Sequence, residues 1–157
     1  MSSDSLFSPD LISSEVAAAL PEGYTIRPLR KGDYHAGFLD VLAVLTTVGD
    51  VSEQDFNQRF EEMQASGALG RGAGGYHILV ILNGDNKIVG TGALIVGHIE
   101  DIAVAKDQQG KKLGLRIIQA LDHVAEKVGC YKANEGFYVK CGFKRAGLEM
   151  AHYYNKS

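Results

Sequence analysis

Six consecutive residues, Gln109-Gly110-Lys111-Lys112-Leu113-Gly114, bring together groups that can hold an anion. Two lysines supply charge, and two glycines let a ligand come close to the backbone. Behind them Leu113, Ile117, Leu121, Val124 and Val128 recur at the spacing of one helix face. Ahead of them His98–Val104 (HIEDIAV) reads as a strand. The six residues therefore join a strand to the start of a helix, where unpaired N–H groups and the positive end of the helix dipole converge. A pyrophosphate fits such a place. An ordinary strand-to-helix turn with two solvated lysines fits the same residues.

Other constellations carry less. Gly70, Gly72 and Gly75 spell G-x-G-x-x-G, but they follow a helical pattern and precede a strand, the reverse of a dinucleotide fingerprint. They read as part of a linker, Gly67–Gly75. His98, Glu100 and Asp101 share one strand and leave a metal no third ligand direction, so no metal is expected. No His–acid pair is legible near Cys141 that would make it a nucleophile. Cys130 and Cys141 form neither a disulfide framework nor a zinc spacing, the usage of a reducing cytosol.

The elements that must position the anion loop follow from pattern. The 157 residues suit one domain, and 45% hydrophobic content suffices for a core. A net charge of −3 gives the whole molecule no attraction to nucleic acid or to an anionic membrane, so a basic loop has a local purpose. No apolar run is long enough to span a bilayer, and the first residues lack the basic start of a signal peptide. Residues 1–22 read as a Ser-rich, partly disordered leader with a helical turn at Glu15–Leu20. Strands are predicted at Tyr24–Leu29, Tyr76–Leu82, Lys87–Val96 and His98–Val104, the second and third joined by the turn N-G-D-N. Asp33 is placed to cap a helix running to Leu45, with Tyr34, Phe38, Val41, Leu42 and Leu45 as its buried stripe. A second helix starts at Ser52 and buries Phe56, Phe60 and Met63. Leu113–Val128 is the long helix, ended by Gly129. A short helix at Glu135–Lys140 and a last strand at Gly147–Tyr154 complete the chain. The class is α/β (α+β), a mixed central sheet flanked by helices.

Several stretches in order resemble one family. Gln109–Gly114 is similar to the pyrophosphate loop of the GNAT acetyltransferases, Q/R-x-x-G/A-x-G/A, with Lys112 where Gly or Ala is usual. Val44–Gly49 (VLTTVG), Gly97–Val104 (GHIEDIAV), Gly129–Lys132 (GCYK) and Asn134–Phe143 (NEGFYVKCGF) resemble the eukaryotic, fungal-type glucosamine-6-phosphate N-acetyltransferases. The resemblance spans about Tyr24 to Met150 and implies a single GNAT domain over residues 23–157. It implies direct transfer of acetyl from acetyl-CoA to the 2-amine of glucosamine 6-phosphate, feeding UDP-N-acetylglucosamine synthesis, in a cytoplasmic homodimer without metal. Residue by residue, it implies that Ile102, Ala103 and Val104 offer backbone to the pantetheine arm. Gln109, Gly110, Lys111, Lys112, Leu113 and Gly114 hold the pyrophosphate, and Asn134 contacts CoA. Tyr138 also contacts CoA and protonates the departing thiolate. Thr46, Glu100 and Asp101 meet the substrate, and one of the two carboxylates orients the amine and takes its proton. Strand alternation would send Glu100 and Asp101 to opposite faces, so they would not share one task.

Two segments of that family have no counterpart. A basic hairpin before G-H-I-E-D is absent, since Val96 runs straight into Gly97. A strand before N-E-G-F-Y is absent too, since only Ala133 separates Lys132 from Asn134. Tyr131–Ala133 can reach roughly 10 Å, whereas a typical strand covers about 17–20 Å. On that geometry Tyr138 would fall short of the thioester. The alternative expectation is therefore a catalytically impaired variant that binds only CoA or a partner subunit.

Overall fold

A computed structural model describes residues 4–45, 47–68, 75–95 and 98–128. Four strands form one sheet in the order β1 (Thr25–Pro28), β2 (Tyr76–Leu82), β3 (Ile88–Ile95) and β4 (His98–Val104), each antiparallel to its neighbour. The apolar run of β2 is covered on both faces: Leu79, Val80 and Ile81 are fully buried. Asn83 makes the turn into β3, its Oδ1 accepting from the backbone N–H groups of Asp85 and Lys87. Ile95 pairs with His98, so only two residues separate β3 from β4. The parallel strand that a mixed sheet requires is expected after residue 128. It lies outside the described residues, as do the short helix expected at Glu135–Lys140 and the strand at Gly147–Tyr154.

Each sheet face has its own core. On one side lies α4 (Leu113–Lys127), whose Leu113, Ile117, Leu121 and Val124 are buried against Leu79, Ile81, Leu94 and Ile99. On the other lie α2 (Phe38–Leu42) and α3 (Glu53–Ala68), whose Phe38, Val41, Phe56, Phe60 and Met63 close over Leu29, Val80, Ile88 and Ala103. The apolar stripes read from the sequence at α3 and α4 are the faces that pack. Burial of each large side chain is worth about 1.5–3 kcal/mol.

The helix predicted from Asp33 to Leu45 is two pieces. Asp33 sits in a 3-10 turn, Lys31–Tyr34, and its carboxylate accepts from the Arg30 backbone N–H at 2.8 Å and from both terminal nitrogens of Arg27 at 2.8 and 2.9 Å. The chain then passes through Gly37 at φ +97°, a conformation open to glycine, before α2 begins. Leu45 lies beyond α2 and is 44% exposed, so it leaves the stripe. Helix α3, conversely, continues through Ala68, into the segment read as linker.

Residues 4–22, read as a leader, pack onto the domain. Ser5 bridges to Arg30, and Leu6 donates its N–H to the Leu29 carbonyl. Leu6 and Leu20 are buried. The short helix α1 (Ser14–Ala18), capped by the Ser13 hydroxyl, lies against α4. The Phe7 ring meets the buried His77 imidazole edge-on, with centroids 5.0 Å apart. Burial pushes the pKa of His77 below its usual 6.5.

Candidate active site

Strand β4 is not regular. Thr91 of β3 faces Ala103 and Ala93 faces Glu100, so two residues of β4, Asp101 and Ile102, stand opposite the single Gly92. That is a β-bulge, and Asp101 takes φ +55° to make it. The extra residue resets the alternation. Ile99 and Ile102 both belong to the α4-side core, while Ala103 belongs to the α2 and α3 side. Glu100, paired with Ala93, shares the α2 face. Glu100 and Asp101 are both exposed. The strict alternation used to set them on opposite faces therefore fails at Asp101 itself. Three residues further, about 10 Å along the strand, β4 ends at Val104.

The loop expected to hold an anion begins there. Lys106–Gln108 form a 3-10 turn, Gly110 takes φ +92°, and Lys112 takes φ +63° as the residue that starts α4. No side chain caps α4. Its first N–H groups have no partner within the helix and lie beside two exposed lysines, Lys111 and Lys112. A Cβ at Gly110 would meet nothing within 4 Å, and at Gly114 only Val104, at 3.9 Å. The space above the helix end is open, as an anion needs. Leu113 is buried, so only its backbone can serve a ligand; the same holds for the buried Ala103. Ile102, Val104 and Gly114 are half-buried. Gln109 stays exposed, and its Nε2 donates to the Val104 carbonyl at 3.1 Å, tying the loop to β4.

The structure thus brings Glu100, Asp101, Ile102, Ala103 and Val104 next to Gln109–Gly114 in one strand–loop–helix unit. Thr46, Asn134 and Tyr138 lie outside the described residues. Among those described, no group of three His, Cys, Asp or Glu side chains could hold a metal, and no helix is long and apolar enough to cross a membrane. Sequence reasoning missed two supports of the loop. The Tyr24 hydroxyl donates to the Gln108 side-chain carbonyl, a contact 84 residues apart in sequence that no spacing rule reveals. The bulge had one visible signal, Gly92 inside an apolar strand.

Comparison with known proteins gives this arrangement a family. The acetyltransferase (GNAT) domain matches residues 74–145, which include β2 to α4. The glucosamine 6-phosphate N-acetyltransferase of Candida albicans is 42% identical over 149 aligned positions, covering 83% of this chain and 96% of that protein. The chain belongs to the glucosamine 6-phosphate N-acetyltransferase family. Its relative of that name in Arabidopsis thaliana is 30% identical over 156 positions, covering 87% of this chain and 100% of that protein. The Arabidopsis crystal structure superposes with a TM-score of 0.61 at 32% identity, over 76% of this chain and 90% of that one. A Trypanosoma brucei acetyltransferase, 24% identical with a TM-score of 0.59, shares the fold.

The same comparisons show gaps within the aligned part of this chain. Against the Candida protein, 83% of 157 residues, about 130, stand against 149 aligned positions, so about 19 positions have no residue here. Against the Arabidopsis protein, 87%, about 137, stand against 156, the same shortfall.

Proposed function

We propose that this chain transfers the acetyl group of acetyl-CoA to the 2-amine of glucosamine 6-phosphate, giving N-acetylglucosamine 6-phosphate for UDP-N-acetylglucosamine synthesis. The observation that carries it is the 42% identity across 96% of the Candida relative. The uncapped start of α4, with Gly110 and two exposed lysines, has the chemistry a pyrophosphate requires and supports acetyl-CoA as donor. One GNAT domain over 23–157, working in the cytoplasm as a homodimer, completes the reading.

In this reading Gln109–Gly114 hold the pyrophosphate through backbone N–H groups and lysine charge. The backbone of Ile102–Val104 lies along the pantetheine arm. Binding both partners in one place lets the amine attack the thioester carbonyl as an effectively unimolecular step. The C–N bond forms, the C–S bond breaks, the amine loses a proton and the thiolate gains one. Glu100 or Asp101 takes the first proton and Tyr138 supplies the second. Such help is worth about 10²–10⁴ in rate. Asn134 contacts CoA and Thr46 the sugar phosphate. Release of free thiol from acetyl-CoA, measured with glucosamine 6-phosphate against a panel of other small amines, tests the reading. Turnover with that sugar above all others is expected; folded protein that turns over none of them would overturn it.

A second reading rests on the shortfall of about 19 positions. If those positions include the strand that should deliver Tyr138, the chain binds CoA or a partner subunit without catalysis. Calorimetry showing CoA binding without thiol release would favour it.

A further inference from the structure

Gly90 and Gly92 stand two apart on β3 and so share one face, the face that meets α4. Gly92 has no room for a side chain, and Gly90 has little. A Cβ at Gly92 would lie 2.4 Å from Cγ2 of Ile117, 2.6 Å from Cδ1 of Ile102 and 3.0 Å from Cδ1 of Leu121. A Cβ at Gly90 would lie 3.2 Å from Cδ1 of Ile117. Ile117 is fully buried one turn into α4, and Ile102 belongs to the bulge opposite Gly92. We infer that Gly92 is a positioning residue: it seats Ile117 and Ile102 together and so sets the spacing between the start of α4 and the bulge of β4.

The two shortest contacts at Gly92 differ in how they can give way. Ile102 Cδ1 is the end of a side chain and can swing aside. Ile117 Cγ2 is attached at the branch of a β-branched residue, and such residues hold essentially one rotamer in a helix. Its backbone must therefore move with it. Restoring ordinary contact from 2.4 Å requires roughly 1 Å of displacement between α4 and β3, and the packed core offers no slack. Helix α4 carries the N–H groups and lysines that would hold the donor's phosphates. Strand β4 carries Glu100 and Asp101. A methyl group at position 92 pushes these two halves apart while touching neither ligand.

The inference rests on the acetyl-transfer reading, and its test separates the two. Gly92→Ala, Ile117→Ala and the double variant are made in the full chain. For each, calorimetry gives CoA affinity, thiol release gives kcat and KM, and urea unfolding gives stability. Misplacement by about 1 Å can cost on the order of 10²-fold, so Gly92→Ala is expected to lose about that much in kcat/KM, with weaker CoA binding. Ile117→Ala opens space without forcing any, so it is expected to lower stability yet keep CoA affinity near the parent's. The double variant removes the branch that collides and is expected to recover affinity and kcat/KM while remaining less stable. That recovery is the signature a merely structural glycine would not give. Parent-like CoA binding and kcat/KM in Gly92→Ala, or no recovery in the double variant, would overturn the inference and leave the acetyl-transfer reading intact. A parent protein that binds no CoA would overturn both.

Discussion

Lys112 carries a conflict that can be measured. It opens α4 in the left-handed conformation, φ +63°, which costs an L-residue roughly 1–2 kcal/mol. It also places a positive charge at the positive end of the helix dipole, which costs about 0.3–1 kcal/mol. Both costs fall on stability, and in the proposed function both serve phosphate binding. Lys112→Ala removes the charge and keeps the strain. Lys112→Gly removes both, although glycine returns about 0.4–1 kcal/mol through its freer unfolded chain. Stability should therefore rise in the order Lys, Ala, Gly, with glycine about 0.5–1 kcal/mol above alanine. CoA affinity should follow a different order. Both variants lose one exposed ammonium, worth up to about 1 kcal/mol against a phosphate, so both should bind CoA up to about fivefold more weakly. Urea unfolding of the three proteins, with calorimetry against CoA at low and moderate salt, gives both orders. Equal stability of the alanine and glycine variants would refute the strain argument. Unchanged CoA affinity in both would refute the phosphate role.

Other outcomes follow from the same structure. Asp33→Ala strips a buried carboxylate from Arg27 and from the Arg30 N–H; it should cost about 3–5 kcal/mol in urea unfolding, and a loss below about 1 kcal/mol would contradict the arrangement. His77 has a folded pKa below its unfolded value of 6.5, so the unfolded chain binds the extra proton first. Stability should fall as pH drops below about 6.5, and His77→Phe should flatten that slope; an equal slope in both proteins would contradict it. Glu100→Gln and Asp101→Asn separate the two carboxylates, and asparagine tolerates the left-handed backbone at 101. One of the two should lose about 10²–10⁴ in kcat; parent-like kcat in both would remove these carboxylates from proton transfer.

The elements with strong periodicity were legible in the sequence. The bounds of β2 and β4, the buried stripe of α4 and the aromatic face of α3 follow from apolar spacing, because burial of those residues is what makes the elements. The place of Gln109–Gly114 between β4 and α4 was legible because the apolar period changes there from strand to helix. Other features depend on contacts distant in the chain. Asp33 looked like a helix cap because its pairing with Arg27 has no sequence signature, although Gly37 inside the proposed helix was a warning. The bulge at Asp101 sets Ile102 opposite Gly92, against which Ile117 also packs, and alternation alone argues against it. Tyr24 supports Gln108 from 84 residues away.

The central claim is acetyl transfer to the sugar amine by a family member whose aligned stretch lacks about 19 positions. The most direct measurement is mass spectrometry of the products formed by the full chain from glucosamine 6-phosphate and acetyl-CoA labelled in its acetyl carbons. Labelled acetyl is expected on the 2-amine of glucosamine 6-phosphate, accumulating with enzyme concentration in step with free CoA. Folded protein that binds CoA yet leaves the sugar unlabelled would contradict it.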